Sequence, residues 1–405
     1  MNSNASNGTT RVIVIGGGYA GVMAANRLNK RDDVSVTLVN SRPVFVERIR
    51  LHQFVGGSDD AVVNFEDVLA SNVQLVVDSV SRIDAPRRSV TLDSGDILGY
   101  DYLIYAAGSM NAEWRVPGSE THALPIATME EAERLRQVVD AAPPAAMLTV
   151  VGAGPAGIET AAELAELGRS VTLVTGGELG PYLHPKGRRS VAKRLERLGV
   201  AIVDGPGARV TEVRRDSVVL GDGRKLHSDV TIWTAGFRSP DLAHRSGLRT
   251  DAAGRLLTDE SLTSVDDDRI VAAGDAASPS GLPFRMSCQA AGPLGAHAAD
   301  TVLNRIAGKP VSPIALGFVG QCISLGRGAG IFQFSHRNDL AMPVFVSGRA
   351  GAKLKAVVCW GTVKQMTTEA RKPGSYRWSW AADRSRQQKV QMLQGNVPNL
   401  VEPAS

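Results

Sequence analysis

A chain of 405 residues has room for two or three domains at roughly 150 residues each, which excludes a mini-protein. With 43% hydrophobic and 21% charged residues the composition is that of an ordinary globular protein, and 42 glycines point to tight turns or phosphate-cradling loops rather than to collagen or disorder. A balance of 45 basic to 41 acidic side chains leaves +4, too little for a general nucleic-acid binder, so no nucleic-acid partner is expected and any basic surface is local.

The leader MNSNASNGTT is polar, and no run of about 18 apolar residues occurs, so neither signal-peptide export nor a membrane span is expected. Residues 11–40 read as apolar strand, glycine turn, helix and second strand, one βαβ unit, with Gly16, Gly18 and Gly21 spaced as G-x-G-x-x-G. In that pattern the first glycine makes the turn, the second lets backbone approach a pyrophosphate, and the third lets the helix pack on the sheet. Strand-like runs separated by turn residues follow up to residue 109, as in a β-meander. A proline-rich boundary, APPAA at 141–145, precedes a second βαβ unit at 147–175 in which Gly152, Gly154 and Gly157 repeat the fingerprint. Residues 201–237 repeat the meander, so the larger pattern is duplicated as well.

Further on, IVAAGDAAS sets Asp275 after a strand and Gly274, where its carboxylate either accepts hydrogen bonds from a ribityl chain or caps a helix. A helix of small residues precedes a last region, from about 311, that lacks both glycine motifs. The prediction is an α/β fold with two Rossmann-like dinucleotide-binding domains plus a small C-terminal domain. Cys288, Cys322 and Cys359 are odd in number and lack C-x-x-C spacing, which fits a reducing cytoplasmic setting and gives no disulfide framework. Seven histidines show no metal-ligand spacing, so no metal is expected, and His52 is read as a packing or solvent-facing residue. Hydrolase and kinase readings lack their G-x-S-x-G elbow or phosphate loop.

Five landmarks in order now resemble the two-dinucleotide-domain flavoprotein reductases: Gly16 to Gly21, YAAGS at 105–109, Gly152 to Gly157, WTAG at 233–236, and Gly274-Asp275. The resemblance implies FAD on the first fingerprint and NAD(P)H on the second. It divides the chain into a discontinuous FAD-binding domain at 9–115 and 238–310, an NAD(P)H-binding domain at 116–237, and a C-terminal interface or membrane-facing domain at 311–405. Residues implied around FAD are Gly16, Gly18, Tyr19, Ala20, Gly21, Asn40, Ser41, Arg50, Val80, Ala107, Gly108, Gly274 and Asp275. Those implied around NAD(P)H are Gly152, Gly154, Pro155, Ala156, Gly157, Thr175 and Gly236. Glu159 matches the G-x-G-x-x-G-x-E form and is implied beside the nicotinamide, although a first-turn glutamate also suits the helix dipole.

The segment 46–57 holds no redox cysteine pair, and no cysteine precedes Cys288, so disulfide reductases and sulfide:quinone reductases fit poorly. Ferredoxin reductases share Glu47, Arg48 and Leu51 but have lysine where this chain has Gln53. Leu51-His52-Gln53-Phe54-Val55-Gly56-Gly57 is similar to the L-Y-Q-x-x-x-G run of type II NADH dehydrogenases, as is SLGR at 324–327. Hydride transfer from NAD(P)H to FAD and two electrons onward to a quinone or other small acceptor is the implied activity, with Gln289 on the acceptor side. The second glutamine of the family's A-Q-x-A-x-Q run is Pro293 here, which departs from the pattern. Two other enzymes stay in view, a ferredoxin-type reductase and a biosynthetic flavoenzyme acting on a small metabolite, beside a non-enzymatic flavin- and nucleotide-binding redox regulator.

Strand-end positions that bind a ribose diol when acidic are Asn40 and Thr175, and Lys186, Arg188 and Arg189 are either counter-charges for a 2′-phosphate or a solvated helix face, which leaves NADH against NADPH open. From Arg349 to Lys389 the chain carries ten Lys or Arg against Glu369 and Asp383, with Tyr376, Trp378 and Trp380 among them. That composition suits a peripheral contact with the inner face of a membrane, a homodimer surface or an acidic partner.

Overall fold

The computed structural model describes residues 9–112, 115–378, 383 and 385–395. β1 (Thr10–Ile15), α1 (Tyr19–Leu28) and β2 (Val34–Asn40) make the first βαβ unit, with β1 and β2 parallel from Thr10 opposite Val34 to Ile15 opposite Val39. A parallel strand covered on both faces needs an unbroken apolar run, not alternation, and Val12, Ile13, Val14 and Ile15 are all buried. After α2 (Leu51–Val55), β3 (Gln74–Val77) pairs with β2, and β4 (Tyr102–Tyr105) pairs with β1 on its other edge. The expected meander lies between them as strands Val80–Asp84, Ser89–Leu92 and Ile97–Gly99.

The second unit repeats this plan. β5 (Ala123–Pro125) and α3 (Met129–Ala141), whose start is fixed by a Thr128–Glu131 capping box, lead to β6 (Met147–Val151), α4 (Pro155–Glu166), β7 (Ser170–Val174), α5 (Pro185–Arg197), β8 (Ala201–Val203) and β9 (Val230–Trp233). The sheet order is β5-β9-β6-β7-β8, all parallel. β10 (Ile270–Ala272) then pairs with β4 and gives the first sheet the matching order β10-β4-β1-β2-β3. The fold is therefore α/β with two Rossmann-like parallel sheets, each centred on its fingerprint strand. Where the chain crosses between them, Met110–Asn111 and Phe237–Arg238 pair antiparallel.

α6 (Cys288–Ile306) starts at Ser287, whose hydroxyl caps the Ala290 N–H, and crosses α1 so closely that a Cβ at Gly295 would stand 2.1 Å from the Ala20 carbonyl oxygen. That contact explains the helix's small residues. All ten residues of α1 are buried. Antiparallel strands β11 (Gly320–Ser324), β12 (Gly330–Ser335) and β13 (Ala341–Ser347), then α7 (Gly348–Arg371) and α8 (Ser385–Gly395), complete the chain.

α7 is held on α1 by buried polar bonds. Asn26 donates to the Met366 carbonyl at 3.1 Å and Arg27 pairs with Glu369 at 3.1 Å, while Arg27 also pairs with Asp300 of α6 at 2.8 Å. The fully buried Glu369 also accepts from the Gly374 and Tyr376 N–H groups. This clamp corrects one expectation for the basic region. Tyr376 and Trp378 do not face outward as interfacial anchors: they stack on each other at 5.7 Å, and Arg27 lies 5.3 Å over the Trp378 ring. Trp380 and Arg384 lie outside the described residues.

Candidate functional site

The glycines of each fingerprint divide their work as their spacing predicts. At Gly16, with φ +97°, a Cβ would meet the Ala106 carbonyl oxygen at 2.4 Å, and at Gly21 it would meet the Gly16 oxygen at 1.8 Å. Gly18 faces open space, with nothing within 4 Å of an added Cβ. The second fingerprint matches it: Gly152 (φ +140°) abuts Thr234, Gly157 abuts the Gly152 oxygen at 2.2 Å, and Gly154 is open. Tyr19 and Ala20 form the first turn of α1, and Pro155 and Ala156 that of α4, with Pro155 at the position where a missing N–H costs nothing. Each open glycine thus sits at a helix N-terminus, a surface suited to a phosphate anion.

Around the first turn, Asn40 at the end of β2 accepts from the Gly17 N–H at 2.9 Å and donates to the Arg42 carbonyl at 2.8 Å, while Ser41 follows it on the loop. Ala107 and the left-handed Gly108 continue β4 beside the turn, and Val80 opens the meander strand, half-buried against the same cluster. Gly274 (φ +67°) comes so close to α1 that its Cβ would stand 2.8 Å from that of Ala20. The adjacent Asp275 accepts from the Ser109 hydroxyl at 2.7 Å, which in turn accepts from Arg48 at 3.1 Å. The late Gly-Asp pair therefore returns to the first fingerprint. The buried hydroxyl of Tyr19 has no hydrogen-bond partner, an unmet group that a bound cofactor would satisfy.

Glu159 lies on the first turns of α4 and is 7% exposed. Lys355 of α7 donates to it, the Ser324 N–H donates to the same oxygen at 2.9 Å, and His52 Nδ1 stands 3.6 Å from the other. Burial pushes the Glu159 carboxyl upward, but Lys355, His52 and the two hydrogen bonds outweigh it and hold the group below its usual range. For Lys355, burial lowers and the Glu159 carboxylate raises, and the raising wins. An ionised pair is thus sealed inside the protein. Its lysine lines a cavity of about 110 Å³ together with Arg50, Gln53, Ser324, Arg327 and Cys359.

The family profile described as pyridine nucleotide-disulphide oxidoreductase matches residues 10–299. The chain belongs to that family. It is accordingly an oxidoreductase of the class that takes FAD and NAD(P)H. The NADH dehydrogenase-like protein Rv1812c of Mycobacterium tuberculosis is 30% identical over 355 residues, covering 80% of this chain and 87% of that one. The type II NADH:quinone oxidoreductase Ndh of the same organism is 29% identical over 324 residues, 67% of this chain and 68% of its own. In fold, the chain superposes on NDH2 of Plasmodium falciparum with a TM-score of 0.74 over 91% of its length and 99% of that structure, at 15% identity.

For a pyridine nucleotide-disulphide oxidoreductase the cysteines are out of place. All three are free, and burial pushes their thiols up to about 11, so they stay protonated at neutral pH. Two predicted site residues, Gln289 at the acceptor side and Arg50 beside FAD, are otherwise engaged. The Gln289 amide, in the orientation that satisfies both of its groups, donates to the Gly320 carbonyl at 3.0 Å and accepts from the Val319 N–H at 3.1 Å, bracing α6 against β11. Arg50 lines the cavity but is tied to Glu47 at 3.2 Å and Asp59 at 2.9 Å. Gly236, left-handed at φ +83°, abuts Ala112 at the crossing between the sheets.

Sequence inspection missed Lys355, a cation among ten in a basic region, and passed over His52. The latter is 5% exposed, and burial pushes it down to about 4 against the opposing pull of Glu159. It is neutral in the fold, while the unfolded chain titrates near the ordinary 6.5. As pH falls from 6.5 towards 4 the unfolded state binds a proton that the native state does not, so stability drops across that window. His52→Gln should flatten the drop by about 2–3 kcal/mol in urea unfolding at pH 6.5 and 4.5. An unchanged difference between the two pH values would show that His52 is charged in the fold.

Proposed function

We propose that this chain is an FAD-dependent NAD(P)H dehydrogenase that delivers electrons to a quinone-like acceptor, as the name of its relative Ndh, a type II NADH:quinone oxidoreductase, describes for that protein. The observation that carries the reading is the convergence of two distant segments. Gln53 of LHQFVGG and Ser324 of SLGR line one cavity with Lys355, the ion-pair partner of Glu159. These are the two stretches that resemble type II NADH dehydrogenases.

In this reading Gly16, Gly18, Tyr19, Ala20, Gly21, Asn40, Ser41, Val80, Ala107, Gly108, Gly274 and Asp275 hold FAD, and Gly152, Gly154, Pro155, Ala156, Gly157, Thr175 and Gly236 hold NAD(P)H. FAD, when bound, supplies the two-electron chemistry between the nicotinamide and the acceptor. The protein's own part is positioning and charge. The backbone at Gly18 and Gly154 admits each pyrophosphate, and Asp275, aligned by Ser109 and Arg48, receives hydroxyl donors. Glu159 stands ionised at the nicotinamide side, with Lys355 as a buried ammonium at the cavity wall. Lys355 can donate a hydrogen bond to a quinone oxygen there, and Glu159 keeps it charged as an ammonium. Turnover of NADH or NADPH with a quinone, but not with ferredoxin, is the test of this assignment.

Among the described residues no helix is long and apolar enough to cross a membrane. Of the ten basic residues, Lys355 is buried on Glu159 and Arg386 on Glu260, which subtracts them from any surface charge. The outward stripe of α7 instead carries Arg349, Lys353, Val357, Trp360 and Lys364, spaced three or four apart, with Arg371 two turns further on and Val357 58% and Trp360 62% exposed. This stripe suits a helix lying on an anionic membrane. Binding to anionic vesicles should fade from 0.1 M to 1 M salt, and Trp360→Ser with Lys364→Gln should weaken it, each basic residue contributing up to ~1 kcal/mol. Equal co-sedimentation with neutral and anionic vesicles would remove the assignment.

A further inference from the structure

The loop after β7 folds back onto the second fingerprint, where the Gly180 N–H donates to the Ala153 carbonyl at 3.0 Å. Thr175, at the strand end where a diol-binding carboxylate would stand, uses its hydroxyl on the Gly177 and Val203 carbonyls at 3.1 and 3.3 Å. The Gly205 N–H then donates to the Gly177 carbonyl at 2.6 Å and ties the loops after β7 and β8 together. Between them opens a cleft of about 450 Å³ lined by Gly177, Glu178, Asp204, Gly205 and Pro206. Its position, outside the carboxyl ends of adjoining parallel strands and next to the glycine turn, is where a Rossmann-like unit receives the adenosine ribose.

The charged groups lining that cleft are two exposed carboxylates, Glu178 and Asp204. A cation is within reach, but it is occupied: Arg188 of α5 pairs with Glu178 and donates to the Leu183 carbonyl at 3.3 Å, while its buried Nε has no hydrogen-bond partner. Lys186 and Arg189, the other two candidate counter-charges, lie exposed on α5.

We infer that Glu178, not the strand-end Thr175, selects the nicotinamide cofactor, admitting a dinucleotide with a free adenosine 2′-hydroxyl and excluding its 2′-phosphorylated counterpart. Two effects combine. Carboxylates accept hydrogen bonds from ribose hydroxyls but repel a 2′-phosphate carrying about −1.5 to −2 charge at neutral pH. Glu178 also withholds Arg188, the guanidinium that a 2′-phosphate would otherwise engage in a paired hydrogen bond. This inference rests on the second fingerprint being the nicotinamide-dinucleotide site.

Calorimetric binding of ADP-ribose and 2′-phospho-ADP-ribose to the FAD-loaded protein tests it without relying on turnover. The wild type should bind ADP-ribose at least ~30-fold more tightly, and this preference should narrow in 1 M salt. Glu178→Gln should shrink the preference to within about threefold by raising affinity for the 2′-phosphate, and adding Arg188→Gln should abolish that gain. Equal binding of the two probes by the wild type, no binding of either, or an unchanged preference in Glu178→Gln would overturn the inference. If the probes discriminate as expected while neither NADH nor NADPH reduces the flavin, the inference stands and the dehydrogenase reading falls.

Discussion

Lys355→Met is expected to lower the unfolding free energy by about 3–5 kcal/mol, because it leaves the carboxylate of Glu159 buried with its cation removed. Both side chains are under 10% exposed, so water makes up poorly for the missing charge. The remaining partners, the Ser324 N–H and a neutral His52, satisfy only part of the carboxylate. Glu159→Gln in the same background should recover a large share of the loss, since a neutral amide no longer needs the ammonium. Urea unfolding of the two single variants and the double variant checks this. A Lys355→Met midpoint close to wild type would mean that the pair is solvated and that the cavity wall is not a sealed charge site.

The second large effect belongs to the two open glycines. Gly18 (φ −82°) and Gly154 (φ −78°) have extended backbones that any residue adopts, and neither meets an atom within 4 Å of an added Cβ. Valine at either position should therefore fold. What the new side chain occupies is the space a pyrophosphate needs, so Gly18→Val should purify without flavin. Gly154→Val should keep its flavin and lose at least about a hundredfold in the rate of flavin reduction by NAD(P)H, because displacing the dinucleotide by even an ångström disrupts transfer. Absorbance of the purified proteins and anaerobic flavin bleaching separate the two. Loss of flavin in Gly154→Val with retention in Gly18→Val would reverse the assignment of the sites. Gly16 and Gly152 are poor controls, since their positive φ and backbone contacts make any side chain damage the turn itself.

The contrast between these glycines explains what was legible in the sequence. Fingerprint geometry is local: the turn, the close approach and the helix packing are all set within six residues, so spacing alone reveals them. The duplicated meanders were visible for the same reason, through turn residues between short apolar runs. Lys355 was not, because its partner lies 196 positions away and its charge looks like that of any exposed lysine until α7 is docked on the sheets. Gln289 matched a motif, yet its amide satisfies β11 backbone instead of facing the cavity. The tryptophans show the same limit. Trp378 and Trp360 both sit among basic residues, yet Trp378 packs beneath Arg27, itself paired with Glu369, while Trp360 faces out.

In the proposed reading, electrons enter at the Gly154 turn, pass through a flavin held at the Gly18 turn, and leave to a quinone at the cavity that Lys355 lines. Double-mixing stopped-flow tests it most directly: the FAD-loaded protein is reduced anaerobically with one equivalent of NADH or NADPH, then mixed with a soluble quinone, oxygen or ferredoxin. The account predicts rapid bleaching followed by reoxidation that is fast with the quinone and slow with the other two, and slower with quinone in Lys355→Met. A flavin that bleaches but is reoxidised no faster by quinone than by oxygen or ferredoxin would contradict it.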